Sequence, residues 1–271
     1  MLDQVLSQAP VFLLAAVRCF SLLMTLPLFS MRNIHSATRV ALAGFMAFNL
    51  IGQVDYSAYA PLLFPEQIFT AQFILVLAGE ALLGVITGFY ITIIFSAFSS
   101  AGQFFAFQMG FSASEVYDAL SQVENPLMGQ YLNLIAMLIF MQTRLFQKLF
   151  LGGLVSSFKT LSAYSIVNDM LSGGFLPRFM MRGLTELFAN ALVISLPIIG
   201  TLMLITISTG ILSKAAPQMN LLSEGFPIML LTSFFILTAL MPSLIDAFSR
   251  CFDGGFSRLE QLFLALGGKR I

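Results

Sequence analysis

An all-α integral membrane protein is the fold class this sequence predicts, on three observations. Of 271 residues, 58% are hydrophobic and 10% are charged, with a mean hydropathy of +0.91. Soluble domains carry about 45–50% apolar and about 25% charged residues. The apolar residues also fall in runs of helix length, and the stretch Ala81 to Ser114 holds no charge over 34 residues. About 20 such residues are enough to cross a bilayer core as a helix.

The elements follow in order as apolar runs. The first is Pro10 to Phe29, with Arg18 inside it and Pro27 near its end. Val40 to Val54 is the second. The third, Ile68 to Ser114, is interrupted by Glu80 alone and is long enough for two helices, with Gly79, Gly84 and Gly88 as the only turn residues to separate them. Leu127 to Gln142 is the fourth. A more polar segment, Arg144 to Arg182, separates it from the fifth and sixth runs, Leu187 to Ser213 and Gly225 to Ile245. In the tail, Phe256, Leu259, Leu262, Phe263 and Leu266 recur at helical spacing, which predicts a short amphipathic helix of its own. The N-terminus, MLDQVLSQAP, has no basic stretch and does not read as a cleaved signal peptide. Basic and acidic loops alternate, and the positive-inside rule orders them without conflict if the third run is two helices.

The stretch from Glu80 to Gln130 organises the chain. A long apolar arm leads into an acidic segment, with Glu115, Asp118 and Glu124 before Asn125-Pro126, and a second arm leads away. Irregular backbone at membrane depth is tolerated only where protein covers it or it lines a cavity. Gly110, Ser112, Ser114 and Ser121 disfavour a continuous helix there, while Met109, Phe111, Val116 and Tyr117 supply apolar bulk.

Other residues carry physical meaning at their spacing. Gly84 and Gly88 form a GxxxG pair that lets helix backbones approach closely. Arg18 and Glu80 are the charges most embedded in apolar sequence; they either pair or face a polar lumen, or else snorkel and sit at a helix junction. Pro217, Gln218 and Asn220, followed by Gly225, Phe226 and Pro227, form a polar, kinked turn between the last two runs.

Several classes are disfavoured. Lys+Arg and Asp+Glu are 13 each, so the net charge is zero and nucleic acid is not an expected partner. His35 is the only histidine, set between Arg32 and Arg39, with no carboxylate cluster or cysteine near it in sequence. Neither a phosphate-binding loop nor a metal set is present as a motif, so no enzyme activity, metal or cofactor is expected. Cys19 and Cys251 read as buried thiols.

Ala216-Pro217-Gln218-Met219-Asn220 with Gly225-Phe226-Pro227, and Ala101-Gly102 with Phe107-Gln108-Met109-Gly110-Phe111-Ser112, carry a resemblance. Weaker support comes from Arg18 with Pro27, Glu80 with Gly84 and Gly88, and Ser157-Phe158. Over nearly its whole length the chain resembles the FliR/SctT family, export-gate components of the flagellar and virulence type III secretion systems. It departs from the family at Ala119, where Pro is usual after Asp, at Thr143-Arg144, where Gly-His is frequent, and at Glu224, where an apolar residue is usual.

The resemblance implies a single export-gate domain over residues 1–271, whose Leu187 to Ile245 hairpin is similar to FliQ. It implies a conical assembly with FliP-like and FliQ-like proteins, contact with larger export proteins and membrane lipid, and a bacterial inner-membrane location in the flagellar basal body. Unfolded secreted proteins would pass through the shared pore. Carried over, the plug of the closed pore is 108–126, with Gln108, Met109, Gly110, Phe111, Ser112, Ala113, Ser114, Glu115, Val116, Tyr117 and Asp118 at its centre. The alternative reading is a polytopic secondary transporter or channel, with Arg18, Glu80 or Glu224 binding substrate at broken helices.

Overall fold

A computed structural model describes residues 2–30, 34–52, 59, 70–110, 127–162, 174–215 and 221–267. Among these there are helices and no strand. They are α1 (Leu2–Thr25), α2 (Pro27–Ser30), α3 (Ser36–Ile51), α4 (Ala71–Met109), α5 (Leu127–Gln142), α6 (Leu145–Thr160), α7 (Phe175–Ala215) and α8 (Leu221–Leu266). Within α6, Lys148–Leu154 is wound as a π-helix. The protein is an all-α membrane protein: α4, α7 and most of α8 are long and apolar enough to span a bilayer. With 39, 41 and 46 residues they each exceed the about 20 that a bilayer core requires.

Three expectations are corrected. The third run is one helix, not two, and this changes the parity on which the alternation of loop charges rested. Glycine inside a helix costs only about 1 kcal/mol, and Gly84 and Gly88 are held by close packing rather than marking a break. The tail is not a separate amphipathic helix but the end of α8. Its charges do not interrupt the helix because Asp246, Arg250, Asp253 and Glu260, with the polar Ser257 between the last two, fall at helical spacing and are exposed, while Phe248, Phe252, Leu259, Leu262 and Phe263 are buried on the other side. Finally, α8 begins at Leu221, so Gly225 and Pro227 lie inside its first turns and not in the inter-helix turn.

The chain divides into two compact units. The first comprises Met1–Ile93, Arg144–Leu184 and Asp253–Ile271. In it α1 packs on α3, with Leu14, Leu22 and Leu23 buried on one and Ala43, Ala47 and Leu50 on the other. Tyr90 of α4 stacks against Phe179 of α7 with ring centroids 4.8 Å apart. On the surface, Lys148 pairs with Asp253 at 3.1 Å.

The second unit comprises Ile94–Thr143 and Thr185–Phe252. Its core is a cluster of phenylalanines. Phe98 lies 4.2 Å from Phe248, and Phe95, Phe140 and Phe252 stand 5.0 to 5.4 Å from one another, centroid to centroid. Tilted and edge-on pairs of this kind add about 0.5–1.5 kcal/mol each beyond the area they bury.

Candidate functional site

The first unit holds a closed cluster around Arg18. Arg18 sits on the face of α1 that packs inward, and a charge there requires partners. Its side chain is 2% exposed and that of Glu80, on α4, is 0% exposed; Arg18 Nε donates to Glu80 Oε2 at 2.5 Å. Arg18 Nη1 donates to Ser157 Oγ at 3.0 Å and Nη2 to the Leu161 carbonyl at 3.3 Å, both at the end of α6. The guanidinium carbon lies 3.8 Å above the Phe158 ring, a cation–π contact. The second carboxylate oxygen of Glu80 accepts from the Tyr59 hydroxyl at 2.5 Å. Every nitrogen of the guanidinium therefore has a partner, and so has each carboxylate oxygen. Chemically, the cluster joins α1, α4, α6 and Tyr59, and its two hydroxyls, of Ser157 and Tyr59, are both engaged in hydrogen bonds; among the described residues no group of metal-ligating side chains exists.

Gly84 and Gly88 continue this contact. A Cβ at Gly84 would clash with Ser21 Oγ and the Arg18 carbonyl, and one at Gly88 with Thr25 Oγ1 and the Leu22 carbonyl. One turn further, Thr92 Oγ1 donates to the Thr25 carbonyl at 2.8 Å. Residue numbers rise together on the two helices, so α1 and α4 run parallel. The structure thus brings Arg18, Glu80, Gly84 and Gly88 into one interface.

The second set of site residues falls where α4 ends. Gln108 and the buried Met109 close the helix, and Gly110 takes a left-handed backbone (φ 83°) that suits glycine. Phe111, Ser112, Ala113, Ser114, Glu115, Val116, Tyr117 and Asp118 lie outside the described residues, as does the rest of 111–126. The chain resumes with α5 at Leu127, and the two helices cross at two glycines. A Cβ at Gly102 would run into the Met128 carbonyl and Gly129, and one at Gly129 would lie 2.9 Å from the Ser99 carbonyl. Pro217, Gln218 and Asn220 also lie outside the described residues, and so does the side chain of Phe226. Gly225 and Pro227 stand in the first turns of α8. Proline in a helix removes one backbone hydrogen bond, to the carbonyl four residues earlier.

Sequence reasoning missed Tyr59 and the Leu161 carbonyl, which no pattern marks. Ser157 and Phe158 figured only within the resemblance, and Gly129 in nothing at all. A search for a small residue near the start of the fourth run, opposite Gly102, could have found the last.

Comparison with known proteins gives the family. Residues 9–255 match the family described as bacterial export proteins, family 1. The flagellar biosynthetic protein FliR of Bacillus subtilis is 27% identical over 266 residues, covering 98% of this chain and 99% of that protein. The FliR of Escherichia coli K12 is 26% identical over 264 residues, 97% of each chain. That of Borreliella burgdorferi is 33% identical over 181 residues, 67% of this chain and 66% of its own. With a family match across both units, the chain belongs to the FliR/SctT family of bacterial export proteins, membrane components of the flagellar export apparatus.

Proposed function

We propose that this chain forms a section of the wall of the type III export gate and carries its plug, so that unfolded export substrates cross the bacterial inner membrane within the flagellar basal body. FliP-like and FliQ-like proteins are the partners, with larger export proteins beyond them. The carrying observation is the uncovered apolar surface of the last two helices. Only 28% of the most apolar stretch of α7 and 17% of that of α8 is buried within the chain, against 56% for α4. Large side chains such as Phe188, Leu204, Leu231 and Phe235 are exposed along them. In a member of an export family, such faces suit partner helices as well as lipid. Purification in mild detergent is the test: two further small export proteins should come with the chain in unequal amounts. A chain that purifies alone or as a homo-oligomer refutes the assignment and favours a transporter.

The plug is assigned to 108–126. Support comes from its two ends: Gly110 turns the chain out of α4, and the Gly102–Gly129 crossing holds the stems of the segment side by side. Apolar and acidic residues alternate between them, and hydrophobic constrictions can gate by excluding water. Deleting Ser112 to Gln122 should make cells with an assembled gate leaky to ions. An assembled deletion gate as tight as wild type places the plug elsewhere.

The transporter reading draws no support from Arg18 and Glu80, because their hydrogen-bonding groups are taken up inside the chain.

A further inference from the structure

α6 reaches the Arg18 cluster through a wide turn. The π-helix Lys148–Leu154 lies between α-helical ends, and its i→i+5 pattern takes up about one residue more than an α-helix does. The turn is packed: Leu149, Phe150 and Leu154 within it are buried, as are Leu145 before it and Val155 and Phe158 after it. The two glycines of the turn do not enforce it. A Cβ at Gly152 would meet nothing within 4 Å, and one at Gly153 only a Leu149 methyl at 3.5 Å. The register is fixed by Leu154 in the core and, downstream, by Ser157, Phe158 and Leu161, which hold Arg18.

Suppose the wide turn relaxes to α-helix with its start in place. Each later residue then moves into the position of its successor. Ser156 takes the place of Ser157, so Arg18 keeps a hydroxyl acceptor. The two serines are already equivalent in their local bonding: Ser156 Oγ donates to the Gly153 carbonyl at 2.9 Å and Ser157 Oγ to the Leu154 carbonyl at 2.8 Å. The relaxed form loses elsewhere. Phe158 leaves the guanidinium for the exposed position of Lys159, and Gly153 replaces Leu154 in the core. The π form is therefore favoured, and an α form would leave Arg18 a hydroxyl acceptor but not its aromatic partner.

We propose that Lys148–Leu154 stores one residue of register and that Ser156 and Ser157 are the two positions of a latch: Arg18 on Ser157 holds the π form, and passes to Ser156 when the turn relaxes. The proposal does not depend on the plug.

The chain has no tryptophan, so Phe158→Trp is a lone reporter that keeps a ring beneath Arg18. In the full chain in detergent, with this reporter, Ser157→Ala should shift emission to longer wavelength while helical circular dichroism stays unchanged. Ser156→Ala alone should leave emission where it is. The double variant should lose thermal stability beyond either single change, because neither register then offers a hydroxyl. Deleting Gly152 removes the stored residue and should abolish the shift caused by Ser157→Ala. An unshifted Ser157→Ala variant, a shift accompanied by loss of helix, or a double variant no worse than Ser157→Ala overturns the latch.

Discussion

Replacing Glu80 by leucine removes the one carboxylate beside Arg18 among the described residues and leaves a cation that is 2% exposed. Three of its contacts survive, to Ser157, the Leu161 carbonyl and the Phe158 ring, but none carries charge. Breaking a buried ion pair from one side costs about 3–5 kcal/mol, and Arg18→Leu should cost a similar amount, since among the described residues Glu80 then keeps the Tyr59 hydroxyl alone. In the double variant neither charge remains and two leucines fill the space. Ser157 still has the Leu154 carbonyl at 2.8 Å; the buried Tyr59 hydroxyl loses its bond to Glu80, a penalty of up to about 1–3 kcal/mol. The singles therefore sum to about 6–10 kcal/mol while the double should lose about 1–3, a coupling of at least about 3 kcal/mol. Thermal unfolding of the four proteins in one detergent, read by helical circular dichroism, measures this. A double variant as unstable as the sum of the singles would show that the pair is not coupled, and the cluster would then be an accident of packing.

Two further outcomes follow from backbone geometry. Gly84→Val and Gly129→Val put side-chain atoms into opposing backbone or hydroxyl oxygens, and each should cost at least about 1–3 kcal/mol, the range for overpacking; Gly152→Val, which meets nothing, should cost only helix propensity, and equal losses at all three positions would refute the close approaches. Arg144 holds a left-handed backbone at φ 57° between α5 and α6, a conformation that costs a non-glycine residue about 1–2 kcal/mol. Arg144→Gly should therefore raise the unfolding temperature slightly, and a fall would mean that its side chain contributes more than its backbone costs.

Class and rough element placement were legible in the sequence because both rest on composition and run length. The boundaries were not, and particular residues show why. Asp246, Arg250 and Asp253 looked like the end of the sixth run because a hydropathy reading averages around the helix, whereas the fold uses one exposed stripe at spacings of four and three. Gly79, Gly84 and Gly88 looked like a break between a pair of helices, yet the last two are small because the backbone of α1 lies against them. Tyr59 was invisible because its partner Glu80 is 21 residues away with no periodic relation. The π turn is equally silent in sequence, since Gly152-Gly153 suits a turn, a kink or a helix alike.

The parallel pair α1 and α4 shows how charge and size divide the work of setting a register. Matched contacts advance together along both helices: Arg18 meets Glu80, Ser21 meets Gly84, Thr25 meets Gly88 and then Thr92. Small residues alone permit close approach but fix the register weakly, because Gly84 and Gly88 would also accept a neighbour one turn away. The ion pair removes that freedom. Sliding α1 back by one turn would set Glu80 against Leu14, which is 1% exposed, and strand both charges in apolar surroundings. That penalty, about 2.5–3.5 kcal/mol for each charge even on insertion scales, is larger than any gain from repacking methyl groups. A buried pair is weak evidence for stability as such, and fixing register is among its best-attested uses. Here it acts on two apolar helices whose hydrophobic faces cannot tell one register from the next.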